Sequence, residues 1–254
     1  MQTIEASPSK PSLTKHETPK INYLIWIWTL VTPILLVGFH LEYQDLPYLT
    51  AVLACFYTIS FIGFLLMFSK AKKAGAILYI IGCVIFAPIS FIGIFGAKRI
   101  IDTIDKINFY SENSYTQKKP NALYLHKEST ADLQLFGGIV TFIICLAVSF
   151  AAGQILGVTA LALFFAFIGF YNKGRELISL YDDHLEAKLG PISRVAFIKY
   201  SDIVETKSAK KSHIVVYNKK NKSKKLNISS TLLEDHDFLE LIKTTNKLAT
   251  ENQK

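Results

Sequence analysis

Long uncharged apolar runs alternate with short polar segments over the first two thirds of the chain. The longest run, Leu135–Tyr171, contains no Asp, Glu, Lys, Arg or His. One membrane crossing needs about 20 apolar residues, so this run is nearly twice the length that a single helix requires. It predicts a transmembrane helical hairpin of residues 135–150 and 155–171, with its turn at Ala151-Ala152-Gly153-Gln154. Both flanks of the hairpin are therefore expected in the same compartment.

Three further apolar runs precede the hairpin, within residues 21–97. Ile21–Phe39 and Tyr48–Phe68 each have the length of one crossing. The connection between them carries Glu42 and Asp45 but no Lys or Arg. Because Lys and Arg concentrate in cytoplasmic loops, this connection is expected on the opposite side of the membrane.

The third run, Ala74–Gly96, allows two arrangements. Lysines 70, 72 and 73 precede it and Lys98-Arg99 follow it. We favour a full crossing because the run is long enough, although one basic flank is then outside. The alternative is a re-entrant path that returns at Ala87-Pro88 and keeps every basic segment inside. Both arrangements predict a multi-pass inner-membrane protein with a cytoplasmic C-terminus.

Two segments outside the apolar runs have their own signatures. Residues 1–20 are rich in Ser, Thr, Pro and Lys, which predicts a disordered tail. Lys98–Tyr110 has isoleucines at helical spacing, which predicts a cytoplasmic amphipathic helix along the inner face. The alternative is a simple extension of the preceding helix. Residues 111–120 are turn-rich and predict a linker, so 98–120 is expected as helix and linker together.

Beyond Gly174 the hydrophobic period changes from helical to two. Glu176–Tyr181 and His184–Leu189 predict a β-hairpin, and further strands are expected within 195–200, 203–207, 214–217 and 226–229. A final amphipathic helix is expected to cover the apolar face of the sheet. The chain is thus predicted to be an α+β membrane protein: N-terminal transmembrane helices, a transmembrane hairpin at 135–171, and an antiparallel sheet capped by one α-helix at 172–250.

A family resemblance rests on three motifs: Asp182-Asp183, Tyr200-Ser201-Asp202-Ile203 and Leu232–Ile242. In this order they resemble the bacterial pleckstrin-homology-like modules attached to a transmembrane hairpin, over residues 121–248 at most. In some members the hairpin interrupts the fold after one strand, and Ala122–His126, within 121–134, fits that strand. The family often has Trp where Tyr200 stands. The resemblance implies a membrane-bound binding or scaffolding module without conserved chemistry, and it leaves the first 110 residues uncovered.

Charge and hydropathy refine the choice of partner. The chain has 254 residues, is half hydrophobic and carries a net charge of +8, and its mean hydropathy is +0.30. Residues 172–254 contain 16 Lys and Arg against 11 Asp and Glu, a net charge of +5. Beside a membrane, such a balance favours anionic head groups over nucleic acid. Retention of this part in the cytoplasm, together with solubility, explains the same charge more simply, and we favour it.

The strongest local charge pattern is a set of eight lysines in a stretch without acids. They are Lys207, Lys210, Lys211, Lys219, Lys220, Lys222, Lys224 and Lys225. Each could contribute about 1 kcal/mol of attraction to an anionic leaflet. We interpret them as an anionic-lipid-binding surface, in which two loops flanking one strand could form a phosphate-binding cup. The alternatives are non-specific attraction to the leaflet, contact with a membrane protein partner, and plain solvation of the loops.

Patterns that would indicate catalysis are missing from the sequence. No GxSxG, HExxH, P-loop or dinucleotide glycine motif occurs, and the three cysteines have no CxxC spacing. Asp182-Asp183-His184 predicts a turn, because adjacent strand residues point to opposite faces and converge poorly on a metal. His213 and His236 have no partners at metal-ligand spacing in the sequence. We therefore predict no catalytic residue, no metal, no cofactor and no enzymatic activity.

Two functions remain after this exclusion. The first is a binding or scaffolding element held against the membrane, with anionic phospholipid or a membrane protein as partner. The alternative is a subunit of a small-molecule or ion transporter or channel. Ion pathways are usually marked by ionisable residues inside the spans, and the apolar runs contain no charged residue or His. The sequence therefore favours the scaffold.

Overall fold

The computed structural model describes residues 20–86, 90–113, 115, 120–152, 157–209, 211–219 and 222–251. Within these residues it contains seven α-helices and two antiparallel sheets, which is the α+β class that the sequence predicts. The predicted tail lies outside the described residues except for Lys20.

Three helices are long and apolar enough to cross a membrane. They are α1 (Tyr23–Glu42), α2 (Pro47–Leu66) and α5 (Glu128–Ala152). Asn22 caps α1 by accepting a hydrogen bond from the Leu24 amide at 3.0 Å. Pro47 begins α2, and its lack of an N–H costs nothing there, because the first N–H groups of a helix have no partner within the helix. Large apolar side chains on these helices are exposed, such as Ile34 and Phe150 at 72% and 80%. This surface fits a membrane protein.

The second half of the predicted hairpin is α6 (Gly157–Asn172), which packs antiparallel to α5. A Cβ added to Gly138 would lie 2.3 Å from the Ala166 nitrogen, and one added to Gly169 would lie 2.2 Å from the Leu135 nitrogen. Only glycine permits such close backbone approach. Of the predicted turn, Ala151 and Ala152 belong to the end of α5, and residues 153–154 lie outside the described residues.

The third apolar run is divided between two helices, α3 (Lys72–Cys83) and α4 (Phe91–Glu112). The twelve residues of α3 rise about 18 Å, which is less than the roughly 30 Å hydrocarbon core of a bilayer. The full crossing that we favoured therefore does not occur as one helix. The expected point of reversal in the re-entrant alternative, Ala87-Pro88, lies outside the described residues.

Contacts between α3 and α4 show that α4 runs back alongside α3. Lys73 at the start of α3 forms an ion pair with Asp105 in α4. Near the other end of α3, the Tyr79 hydroxyl would lie 3.0 Å from a Cβ on Gly93. The pair thus has the geometry of a re-entrant hairpin, and both of its basic flanks lie at the same end of the bundle.

Residues 98–110 belong to the second half of α4 and do not form a separate helix along the membrane. The first half packs against α6, where Phe91 stacks on Phe164 with ring centroids 4.1 Å apart. The second half lies on a sheet, where Phe109 stacks on Phe197 at 4.9 Å. One helix therefore connects the apolar bundle to the sheets, which corrects the expected surface helix.

The strands form a four-stranded and a three-stranded sheet. The first is β1 (Ala122–Leu125), β2 (Glu176–Leu180), β3 (His184–Ala187) and β4 (Ala196–Lys199); the second is β5 (Ile203–Ala209), β6 (Ser212–Lys219) and β7 (Lys222–Ser229). The last helix is α7 (Asp235–Glu251). Leu123 of β1 pairs with Ser179 of β2, so the α5–α6 hairpin is inserted between two neighbouring strands.

The core of this part lies between the sheets and α7. Ile178, Leu185, Val215 and Leu241 are among its fully buried side chains. In β2 both faces are buried after Glu176, because the core covers one face and α4 covers the other face of the sheet. Because both faces are covered, buried and exposed residues do not alternate along β2 as they do in a strand with one face in water.

Candidate functional site

The predicted lysine surface lies on the three-stranded sheet. Lys207, Lys211, Lys219, Lys222, Lys224 and Lys225 are all exposed, and Lys210 and Lys220 lie outside the described residues. Lys207 forms an exposed ion pair with Glu205, with Nζ and Oε2 3.1 Å apart. These six side chains are thus solvent-accessible, but their positions on the sheet differ.

The β5–β6 turn lies beside the start of α5. The Ser230 amide donates to the Lys211 carbonyl at 3.0 Å, and the Lys127 amide donates to the Leu232 carbonyl at 2.8 Å. Since Lys127 directly precedes α5, Lys211 lies at the end of the sheet that is nearest to the apolar hairpin. We call Lys207 and Lys211 the proximal lysines.

The β6–β7 hairpin lies at the opposite end of the same sheet. Near this end of the sheet, Tyr217 of β6 pairs with Ile203 of β5. Close to Ile203 in the sequence, Tyr200 donates its hydroxyl to the Tyr181 carbonyl at 2.8 Å, at the end of β2 that points away from α6. The seven steps from Ser212 to Lys219 extend about 23 Å at strand rise. We call Lys219, Lys222, Lys224 and Lys225 the distal lysines.

This separation corrects the expected phosphate-binding cup. Two turns at opposite ends of an extended strand cannot both contact a phosphate group. The predicted surface therefore extends along β6: Lys211 and the Lys219–Lys222 pair lie about 23 Å apart at its two ends, and Lys207 and Lys225 lie opposite Ile214 and Val216 between them. A distance of about 23 Å is nearly three Debye lengths at physiological ionic strength. A charge at one end of β6 is therefore strongly screened from charge at the other end.

Three of the distal lysines share one face of the β6–β7 hairpin. Lys219 stands directly opposite Lys222, and Lys224 stands opposite the core residue Tyr217. Because alternate strand residues point to the same side, all three project on the face that continues the core. Like charges directly opposite each other destabilise a strand pair. An anionic partner bound at this face would reduce that repulsion.

A second polar cluster joins α4 to β3 in a regular register. Asp102, Lys106 and Tyr110 of α4 contact Lys188, Glu186 and His184 along β3, respectively. Four helical residues rise about 6 Å and two strand residues about 6.6 Å, so the two spacings match.

The middle of this register contains a buried ion pair. Lys106 Nζ lies 2.9 Å from Glu186 Oε2, and the Tyr110 hydroxyl donates to Glu186 Oε1 at 2.9 Å. Burial by itself would raise the pKa of Glu186, but hydrogen bonds and charge from His184, Lys106 and Tyr110 lower it below its usual value. Burial is the larger cause, and the negative charge of Glu186 the next, of a raised pKa for Tyr110. The hydroxyl therefore stays protonated and can donate its hydrogen bond.

His184 ends the register as a stacked ring. It lies between Tyr115 and Tyr181, with centroids 5.0 and 4.5 Å away, and its Nδ1 is 2.6 Å from Asp183 Oδ1. Asp182 instead accepts a hydrogen bond from Asn121. The two aspartates thus have different partners at the β2–β3 turn, and no common metal position follows from them.

The membrane-side end of the register is rich in cations. Asp102 pairs with Lys98 and also with Lys188, whose Nζ is 2.6 Å from Oδ2. Lys188 Nζ also lies 3.5 Å from the Tyr171 hydroxyl, and the Arg175 guanidinium lies over the Tyr171 ring at 5.5 Å. Burial lowers the pKa of Arg175. This cluster was not predictable from the sequence, because its members come from α4, from the end of α6 and the residues after it, and from the residue after β3.

His213 is fully buried beneath α7. The Thr245 hydroxyl donates to the Leu241 carbonyl (2.7 Å), so it accepts from His213 Nε2 (2.9 Å). His213 Nδ1 then accepts from the Ser208 hydroxyl at 2.9 Å. Burial lowers the pKa of His213, in keeping with a neutral ring. No carboxylate among the described residues orients this ring as in a catalytic triad.

His236 corrects one expectation about metal ligands. Its ring, Asp237 and Glu240 place ligand atoms within 4.8 Å of one another at the start of α7, because residues i and i+4 share a helix face. His236 is 87% exposed, and the cluster has the character of a solvated helix end. We assign no metal to it.

Comparison of the chain with family models, curated proteins and solved structures found no match.

Proposed function

We propose that this chain is an integral membrane scaffold whose sheets form a pleckstrin-homology-like domain at the cytoplasmic face of the inner membrane. Two antiparallel sheets closed by α7, with an apolar hairpin inserted between β1 and β2, support this proposal. Lys73 and Lys98 lie at the end of the bundle that carries the sheets, and the positive-inside rule assigns this end to the cytoplasm.

The partner that we propose is an acidic segment of a protein, bound at the β6–β7 hairpin. The observation that carries the proposal is the pair of exposed lysines Lys222 and Lys224, which point to the same side of β7. Negative charge on a partner reduces the repulsion between these like charges. The hairpin extends about 23 Å from the proximal turn, which favours a partner in the aqueous phase over the leaflet.

Transport is the weaker alternative. Among the described residues of the bundle, Tyr79 donates its hydroxyl to the Ile25 carbonyl, and Thr29 lies 3.2 Å from the same hydroxyl. Such bonds satisfy backbone and side-chain groups within the bundle, and they provide no charged site for an ion or solute.

The experiment uses the full-length protein in nanodiscs of phosphatidylcholine only, with fluorescein-labelled decaglutamate as the probe. Lys222→Gln/Lys224→Gln removes two distal charges, and Lys207→Gln/Lys211→Gln removes two proximal charges as the matched control. We expect the distal variant to weaken probe binding about 2- to 30-fold, since an exposed ion pair contributes roughly 0.2–1 kcal/mol. Binding should also weaken as salt is raised.

The outcome decides between the two classes of partner. An equal loss in both variants would show general attraction of an acidic probe to a basic protein and would overturn the proposal. Stronger dependence on the proximal pair, together with binding of phosphatidylglycerol in place of the peptide, would instead support the lipid-binding surface. Solute flux in proteoliposomes would favour the transporter.

A further inference from the structure

The junction between the apolar bundle and the sheets contains more buried positive charge than it neutralises. Lys98 and Lys188 have only 7% and 17% of their side chains exposed, and both pair with the same carboxylate of Asp102. Two ammonium groups thus share one negative charge. Buried cations are costly unless charge of the opposite sign compensates them.

Arg175 adds a third cation to this junction. Its Nη2 donates to the Leu189 carbonyl at 3.2 Å. Its Nε and Nη1 are shielded from solvent and have no hydrogen-bond acceptor among the described residues. A guanidinium presents its donors in a planar fork that matches the oxygens of a phosphate. These two donors therefore point to an acceptor outside the part of the chain that the structure describes.

The junction lies where the apolar surface ends. Tyr171 is in the last turn of α6, and its ring stacks on Phe95 with centroids 5.1 Å apart. Its hydroxyl faces Lys188, so the ring has an apolar side towards the bundle and a polar tip towards the cations. Tyrosines with this arrangement are typical of the head-group level of a bilayer.

We propose that Lys98, Lys188 and Arg175 bind the phosphate of an anionic phospholipid at this junction. The phosphate supplies the acceptor for the Arg175 donors and the negative charge that Asp102 alone does not provide. The inference goes beyond the proposed function, because it concerns other residues and holds whatever the β6–β7 hairpin binds. It assigns the lipid to the place where α4, α6 and β3 meet.

The test measures thermal unfolding of the full-length protein in dodecyl maltoside, an uncharged detergent. Dioctanoyl phosphatidylglycerol, dioctanoyl phosphatidylcholine and inorganic phosphate are titrated separately. A ligand that binds only the folded state raises Tm with its concentration. We expect phosphatidylglycerol to raise Tm and the other two to leave it unchanged. Native mass spectrometry of the same samples should show one retained phosphatidylglycerol.

Three variants make the assignment specific. Lys188→Gln/Arg175→Gln should weaken the apparent affinity for phosphatidylglycerol at least tenfold. The matched control Lys243→Gln/Lys247→Gln, which removes the same charge from the exposed side of α7, should leave the affinity unchanged. Asp102→Asn removes the competing carboxylate and should tighten binding, which keeps the proposal testable if the double variant does not fold.

Several outcomes would overturn the proposal. They are an unchanged affinity in the junction variant, weaker binding by Asp102→Asn, or an equal effect of phosphatidylcholine. An equal rise in Tm with inorganic phosphate would assign the site to a free anion and would exclude the lipid. Loss of probe binding at the distal lysines has no bearing on these measurements, so the two proposals fail separately.

Discussion

The Tyr110 hydroxyl donates a 2.9 Å hydrogen bond to the buried carboxylate of Glu186, and this contact connects the helix that leaves the apolar bundle to the centre of the four-stranded sheet. Lys106, one helical turn nearer the bundle, donates to the other oxygen of the same carboxylate. The domain is thus held by α4 as well as by the chain connections at β1 and β2. A rigid helix between membrane and sheet suits a scaffold, because it fixes the position of the sheet above the bilayer.

Removing this hydroxyl should destabilise the sheet domain. Tyr110→Phe keeps the ring but leaves a buried carboxylate with one donor fewer, and a hydrogen bond to a charged group contributes about 1.5–3 kcal/mol. We expect Tm to fall in thermal unfolding of the purified protein. The control Tyr48→Phe changes a tyrosine that is 68% exposed and should leave Tm unchanged. Equal effects of the two substitutions would contradict a specific role of Tyr110.

Protonation of His213 should link stability to pH. Because burial lowers its pKa in the folded state, the unfolded chain takes up this proton first as pH falls below about 6.5. The free energy of unfolding should therefore decrease between pH 7 and the folded pKa, with a slope of at most about 1.4 kcal/mol per pH unit for this group. Urea unfolding at a series of pH values measures the slope.

The His213 contribution can be separated from that of other histidines. His213→Gln should reduce the slope, whereas His236→Gln changes a side chain that is 87% exposed and should leave it unaltered. His126 should retain part of the slope, since burial lowers its pKa as well. A slope that His213→Gln does not alter would contradict a lowered pKa of His213 in the fold.

Two adjacent glycines provide a matched test of the α5–α6 hairpin. A Cβ at Gly138 would meet the Ala166 nitrogen at 2.3 Å, whereas a Cβ at Gly137 meets nothing within 4 Å. Gly138→Ala should force the helices apart and destabilise the protein by roughly 1–3 kcal/mol. Gly137→Ala should be neutral or slightly stabilising, because alanine favours the helix by roughly 0.5–1 kcal/mol. Similar Tm values for the two variants would refute the close packing.

The re-entrant geometry of α3 and α4 predicts which residues share a side. Single cysteines at Ser69, Arg99 and Ile192 should all react with a membrane-impermeant maleimide from the same side in oriented vesicles. A cysteine at Gln44, between α1 and α2, should react from the other side. The three native cysteines are first replaced by Ser or Ala. Labelling of position 99 from the side of position 44 would show a full crossing by the third run.

Several elements were predictable because their signals are local. Strand periodicity located β2 to β7 within a few residues, although β6 and β7 are longer than expected because their polar lysine-rich ends still pair. The lysines were identified as exposed, but their division into proximal and distal groups was not. That division depends on the loop after β7, where Ser230 contacts Lys211 in the β5–β6 turn and Leu232 contacts Lys127 just before α5. Lys127 and Leu232 are far apart in the sequence, so no local pattern reports their contact.

By itself, the sequence determined the features that depend on composition over a short window: apolar helices of membrane length, the switch to strands after Gly174, and the amphipathic last helix. Only the tertiary structure decided the return of α4 beside α3, the insertion of the hairpin between β1 and β2, and the pairing of Lys98 and Lys188 with Asp102 next to Tyr171 and Arg175. The physical reason is that hydrophobic periodicity reports which side of an element is apolar but not which element covers it. Pairing of distant residues follows from packing in three dimensions.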